Sequence, residues 1–503
     1  MYRPRKLLAI FFLILAVALT LAVPASAGNT TNSPDKPTWW EKFQYLAQNG
    51  PQDCKAANVS LKVGANVDVS NECGPQSETY ITLNPRQPKM LAAGSNEIFR
   101  LPMRGYFSTD NGGSWGALDL PLPPPLQGTN DTDFGSDPTL AFDSNGNLYY
   151  GYIVVFFGNG AGVDGTEMAV ARSTDGGKTY AQVTYFGFES GSNHFNDKPM
   201  ITADANPNSP FRDNVYIAWD AASGGSSGGG IRVGTSTDHG ATFTVTRADD
   251  PSGPGKSIGA QPFVGPNGEL YVAWNDYKAN AIVFNRSFDG GKTWGTAHPI
   301  AAKSLPFDIG LPAEFSRGAL VYPSCDTDRS TGAHRGQLIC SWMDLTSNGT
   351  TDIFAAYSDD QGATWSSAQP ITDRLSAPVD RFYNWLSTDP VTGDVNVSFY
   401  DTRNDTTGAR YMTDVYFVQS TDGGVTWPSN VRVSSVSSNE HDCAGTYPCP
   451  GINYGDQQGD YEGLVSYGGV SHPIWTDSRL QLSPSPGCRT GLAMEEVFTA
   501  VVK

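Results

Sequence analysis

Seven short segments in which apolar and polar residues alternate recur along the chain: 78–85 (ETYITLNP), 137–143 (DPTLAFD), 198–204 (KPMITAD), 261–268 (QPFVGPNG), 320–326 (LVYPSCD), 384–390 (NWLSTDP) and 462–468 (EGLVSYG). A period of two puts successive side chains on opposite faces, so each segment predicts a strand that packs into a core. Second strands follow, and five of them end with an aromatic residue close before an aspartate: YIAWD (Asp220), YVAWND (Asp276), CSWMD (Asp344), VSFYDTR (Asp401) and PIWTDSR (Asp477). Only 38–51 (TWWEKFQYLAQNGP) predicts a helix, with Thr38 and Glu41 at capping-box spacing and Asn49-Gly50-Pro51 as its stop. Its Trp39, Trp40, Phe43 and Leu46 are expected to pack on the main domain. The pattern is that of an all-β chain.

One short unit appears six times: FSTDNGGSW, RSTDGGKTY, TSTDHGATF, RSFDGGKTW, YSDDQGATW and QSTDGGVTW. Its consensus is S-x-D-x-G-x-[ST]-aromatic, and its aspartates are Asp110, Asp175, Asp238, Asp289, Asp360 and Asp422. Chemically the unit is a turn. The carboxylate can accept backbone N–H groups across the loop, the glycine takes a positive φ, and the aromatic ring buries under a neighbouring sheet. Its role is therefore structural, and each interval between units holds one four-stranded sheet. The unit resembles the repeat of the Asp-box, or bacterial-neuraminidase-repeat, family of β-propellers, which includes sialidases, other glycan-active enzymes and non-enzymatic propellers. The resemblance implies antiparallel four-stranded blades in which the box joins the third and fourth strands.

Seven inner strands predict seven blades, with six as the alternative. The last unit supplies three strands, EGLVSYG, SHPIWTD and EEVFTAVVK, and the early segment NVSLKVGANVDVS is expected to complete it, closing the ring and removing free sheet edges. Sialidases of the family are six-bladed, so seven blades imply a relative of that enzyme group. The expected organisation is a signal peptide over 1–27, an extension with the short helix over 28–53, and the propeller over 54–503.

Export is read from the N-terminus: Arg3, Arg5 and Lys6 precede an apolar run from Leu7 to Val23, and Ala25-Ser26-Ala27 is a cleavage site. The expected product is secreted, extracellular or periplasmic, and monomeric. Composition narrows the partners. With 33 Lys+Arg against 51 Asp+Glu the formal charge is −18, which argues against nucleic acid or an anionic membrane as partner. Seven cysteines in an oxidising compartment favour disulfides. Cys325 and Cys340 flank a hairpin, Cys54 and Cys73 bracket the first strand region, and Cys443, Cys449 and Cys488 are unassigned.

In propellers a ligand pocket lies at one end of the central channel, lined by loops entering the innermost strands and leaving the second ones. There Arg403 and Arg479 follow Asp401 and Asp477 at a spacing of two, which on a strand means one face. With Arg381 they form a candidate carboxylate reader, as sialidases hold their substrate's carboxylate with three arginines; pairing with their own aspartates is the equal alternative. Arg100, in IFRLP, is a fourth candidate because the segment resembles the sialidase F-R-I-P motif.

Sialidase-like hydrolysis needs a tyrosine polarised by a carboxylate and an acid for the leaving group. Tyr461, Glu462, Asp460, Asp137 and Asp197 are the candidates, although Tyr461 and Glu462 are adjacent and face opposite ways on a strand. Glu314 and Arg317 in PAEFSRG loosely resemble a second sialidase element. The expected function is hydrolysis of acidic, carboxylate-bearing glycans of the exo-sialidase type. A non-catalytic glycan- or protein-binding propeller is the alternative, and a polysaccharide lyase using His194 and Tyr461 a further one. No cofactor is required by this chemistry; calcium is an option for an acidic ring of Asp137, Asp197, Asp276, Asp344 and Asp460.

Overall fold

The computed structural model describes residues 62–63, 66–126, 133–157, 162–191, 196–221, 229–251, 257–441, 457–488, 492 and 494–503. The expected signal peptide, the helix at 38–51, His194, and Cys54, Cys443 and Cys449 lie outside these residues.

The described strands form a seven-bladed propeller of antiparallel sheets. From the channel outward, blade 1 is Gln76–Asn84, Gln87–Glu97, Arg104–Ser108 and Gly116–Asp119; blade 2 is Phe134–Phe142, Leu148–Phe156, Gly165–Ser173 and Gln182–Ser190. Blade 3 is Asp197–Ala203, Val215–Ala221, Gly230–Ser236 and Thr244–Arg247; blade 4 is Ser257–Val264, Leu270–Asp276, Ala281–Ser287 and His298–Ala302. Blade 5 is Ser324–Thr327, Leu338–Leu345, Thr351–Ser358 and Gln369–Pro370; blade 6 is Arg381–Thr388, Val395–Asp401, Met412–Ser420 and Val431–Arg432. Among the described residues the only helical element is a 3-10 turn at Ser478–Leu480, and no helix is long and apolar enough to cross a membrane.

Blade 7 is assembled from both ends of the described chain. Gly463–Tyr467, Val470–Asp477 and Glu496–Ala500 come from the C-terminal part, and Asn66–Asp68 adds the fourth strand by pairing with Phe498–Ala500. A disulfide secures this closure, but its partners differ from the expectation. Cys73 bonds Cys488, not Cys54, with the two Cα atoms 5.4 Å apart. The reason is topological: closing the ring brings the residues just after Asn66–Asp68 against the connection between the second and third strands of the same blade. Cys325–Cys340 forms as expected, across directly paired strands of blade 5.

All six boxes sit between third and fourth strands and share one geometry. In the fifth, Ser358 Oγ donates to Asp360 Oδ1 (2.8 Å) and accepts from the Gly362 amide (2.8 Å); the other Asp360 oxygen accepts from Thr364 Oγ1 (2.6 Å). Gly362 has φ +83°, and a Cβ there would meet the Phe284 ring at 2.2 Å. Hydrogen bonds to the exposed carboxylates hold Asp289, Asp360 and Asp422 down to about 2. The box aromatics seal the blades together: Phe243 stacks on Phe186 of blade 2 at 4.4 Å, and Trp365 meets Phe284 of blade 4 edge-on at 5.4 Å.

Candidate functional site

Five of the inner strands carry the same irregularity near their N-terminal ends. The register slips between Ser77 and Tyr80, Ser136 and Thr139, Asp197 and Met200, Ile258 and Gln261, and Phe382 and Trp385. In each slip one residue is left-handed: Glu78 (φ 52°), Asp137 (61°), Lys198 (48°), Gly259 (71°) and Tyr383 (48°). Such bulges re-aim a side chain and are costly for residues other than glycine, so their surroundings must hold them. Gly259 is the exception that makes room, since a Cβ there would lie 2.2 Å from the Tyr322 ring.

What holds them is a buried ionic cluster around the channel axis. The Lys198 ammonium lies 2.6 Å from Asp460, 2.8 Å from Glu78 and 3.7 Å from Asp137. Arg317, from the long connection between blades 4 and 5, donates through Nε to Asp460 (2.5 Å) and through a terminal nitrogen to Glu78 (3.1 Å). Asn96 Nδ2 completes the Glu78 carboxylate at 2.7 Å. The Lys198 backbone amide donates to both Asp137 (3.1 Å) and Asp197 (2.9 Å), and these two carboxyls are hydrogen-bonded to one another. None of the six ionic groups exceeds 4% exposure.

The electrostatics divide the acids. Burial, reinforced by Asp137, pushes Asp197 up to about 8, and burial drives Glu78 well above the usual carboxyl range. Burial opposes ionisation of Asp137 and Asp460 as well, but their partners overcome it: Lys198 and the Ser136 hydroxyl hold Asp137 low, and Arg317 with Lys198 holds Asp460 low. The same three partners, Asp137, Asp460 and Glu78, keep Lys198 charged against its burial. Within the pair, burial and the Asp137 carboxylate thus favour the protonated form of Asp197, while Lys198 favours the ionised form of Asp137.

Tyrosines border the cluster. Tyr322 OH donates to Asp460 (3.4 Å), Tyr383 OH to the Gly318 carbonyl (3.1 Å) and Tyr461 OH to the Pro138 carbonyl (3.2 Å), and burial raises all three phenols well above their ordinary value. The Lys198 ammonium is 5.4 Å from the centre of the Tyr461 ring.

Of the sequence candidates, Asp460, Asp137, Asp197 and Tyr461 meet here. Glu462 does not: it turns into the wall between blades, where it accepts from Tyr400, from Thr79 Oγ1 (2.7 Å) and from the Thr476 amide (3.3 Å). Tyr461 and Glu462 accordingly share no hydrogen-bond partner.

The arginines are committed elsewhere. Arg381 Nε and Arg403 both bind Asp401 (2.7 and 2.6 Å), Arg403 also binds Asp373 (2.6 Å), and its guanidinium lies 3.9 Å from the Tyr416 ring centre. Arg479 closes on Asp477 (2.6 Å) and lies over Phe498. Arg100 binds Asp119 (2.6 Å) on the outermost strand of blade 1. The D-x-R spacing thus produces pairs within a blade, and Arg403 and Arg479 share no partner.

Two of the recurring second-strand aspartates, Asp276 and Asp344, are loop latches. Asp344 accepts the Ser304 and Leu305 amides of the preceding blade, and Asp276 those of Lys278 and Ala279. They are therefore not members of an acidic ring with Asp137, Asp197 and Asp460. Among the described residues no group of three or more His, Cys, Asp or Glu side chains is arranged to hold a metal ion, and the Lys198 ammonium lies among Asp460, Glu78 and Asp137.

Sequence reasoning missed Glu78 and Lys198. A signal was present: aligning the inner segments on their alternation places Glu78, Asp137, Lys198, Gly259 and Tyr383 in one column.

The BNR/Asp-box repeat family model matches residues 356–367, the fifth box. The fold is similar to those of the Hadza microbial sialidase Hz136 (15% identity, 64% of this chain and 63% of that one, TM-score 0.43) and the NanB sialidase of Streptococcus pneumoniae (11%, 78% and 72%, 0.46). It is also similar to a Trypanosoma rangeli sialidase (13%, 74% and 60%, 0.42). No protein of curated function matches the sequence.

Proposed function

We propose that this Asp-box propeller is an exported glycan-active hydrolase that acts on acidic, carboxylate-bearing saccharides at the cluster end of its central channel. One observation carries the reading: Asp137 and Asp197 converge on the Lys198 amide as a carboxyl–carboxylate pair. Asp197, which burial holds toward its protonated form, is the group to give a proton to the departing glycosidic oxygen as the C–O bond breaks, while a water oxygen bonds to the anomeric carbon; Asp137 takes the proton that water loses and returns it to Asp197. The substrate carboxylate is assigned to Lys198 and Arg317, the two cations beside the acid pair, in place of Arg381, Arg403 and Arg479, which bind aspartates outside the cluster. Two disulfides agree with an oxidising compartment and so with export.

The full chain, screened on fluorogenic sialosides and uronides, is expected to release fluorophore, and Asp197→Asn to abolish the release while the fold persists. No release from any substrate overturns the reading. One observation favours the second reading, a non-catalytic propeller that presents its rim to a glycan or protein: the cluster is buried and its cations are compensated within it. Binding on a glycan array without turnover would establish that reading instead.

A further inference from the structure

The channel has a second chamber. Below the ionic cluster Trp385 meets Tyr80 edge-on (ring centres 5.3 Å apart) and approaches Tyr461 (6.2 Å), so an aromatic layer separates the charged end from the other. Beyond it the C-terminal halves of the inner strands line a cavity of about 450 Å³ that opens to solvent, to which all seven blades contribute. Sites for small ligands run from about 300 to 1,000 Å³.

The chemistry of this chamber is unlike that of the cluster. Its walls mix apolar residues such as Leu83, Phe142, Ala203 and Phe263 with uncharged polar ones such as Thr82, Thr202 and Ser387. Asp326 and Arg329 are its charged lining residues, and they neutralise one another: the guanidinium binds both carboxylate oxygens (2.6 and 3.2 Å). The same carboxylate also accepts the Thr327 and Thr388 amides (2.8 and 2.9 Å). A charged ligand would find no countercharge here and would lose its hydration. Gln261 is fixed from one side, because its Oε1 accepts the Cys325 amide at 2.6 Å; that orientation turns its Nε2 hydrogens away from Cys325 as donors on the chamber wall.

We infer that this chamber is a binding site for an uncharged small molecule that carries a hydrogen-bond acceptor, held by the uncharged walls and Gln261. It is chemically independent of the acidic-glycan reading, since no group of the ionic cluster lines it.

Isothermal titration of the full chain with 1-naphthol, naphthalene and 1-naphthoate tests this. Naphthol is expected to bind at least about tenfold more tightly than naphthoate, which has the same ring and a charge. Ala203→Phe, which fills the chamber, is expected to weaken naphthol at least about tenfold with unchanged near-ultraviolet circular dichroism. Should that variant fail to fold, Gln261→Leu is the second arm, expected to weaken naphthol and leave naphthalene unaffected. Equal binding of naphthoate, indifference of naphthol to both substitutions, or no binding by any of the three overturns the inference.

Discussion

Asp137 and Asp197, on the inner strands of neighbouring blades, accept the same backbone amide, that of Lys198, at 3.1 and 2.9 Å. One left-handed residue thus fixes two carboxyls by its backbone and, through its ammonium, ties Glu78 and Asp460 into the same cluster. Sequence separation makes this a tertiary device: Lys198 and Glu78 are 120 residues apart, Arg317 and Glu78 239 apart.

The loss of Lys198 is therefore expected to be costly. Lys198→Met leaves Glu78, Asp460 and Asp137 with Arg317 as their one remaining cation in the cluster, and removing one partner of a buried pair costs about 3–5 kcal/mol. Urea unfolding should show a destabilisation of that size. A change below about 1 kcal/mol would mean that the carboxyls are neutral in the folded protein.

How stability depends on pH follows from the signs. Asp197 and Glu97 sit at about 8 and Asp68 at about 7, each raised chiefly by burial, so the folded form holds protons that the unfolded chain has released. Their contribution is complete below the ordinary carboxyl range and is lost as pH rises through 7 to 8. Asp137 and Asp460 are lowered, so theirs is present above that range and lost as pH falls through it. Urea midpoints should peak in mild acid and fall toward alkaline pH, by up to about 1.4 kcal/mol per pH unit for each proton. A midpoint that rises steadily to pH about 9 contradicts this assignment.

The two disulfides should differ in weight. Cys73–Cys488 closes a loop of 415 residues and Cys325–Cys340 one of 15. The chain-entropy argument gives about 6 kcal/mol for the long loop and about 3 for the short one. Cys73→Ser should lower the denaturation midpoint more than Cys325→Ser, and reductant should bring both variants to one value. The reverse order would show that strand pairing alone closes the ring.

Removing one box carboxylate tests its structural role. Asp360→Ala loses the Ser358 and Thr364 hydrogen bonds, an expected cost of about 1–2 kcal/mol. Any turnover should be unchanged, since the box lies between the outer strands. A loss of turnover at unchanged stability would contradict that role.

Much of the fold was legible because it is local and repeated. Six boxes fixed the blade spacing, and NVSLKVGANVDVS was identifiable as the closing strand because the last unit lacked one. The site was legible only in part. Asp137, Asp197, Asp460 and Tyr461 stood out as polar residues entering inner strands, whereas Lys198 and Glu78 acquire their roles from bulges that no single segment announces. Arg403 and Arg479 show the limit of spacing arguments: a separation of two that places Arg beside Asp lets the pair consume itself.

Turnover of a fluorogenic acidic glycoside, compared between Asp197→Asn and the Arg403→Ala/Arg479→Ala double variant, tests the central assignment most directly. The account predicts that Asp197→Asn eliminates release and that the double variant, folded, retains it. Release that survives Asp197→Asn and disappears with the two arginines would contradict it.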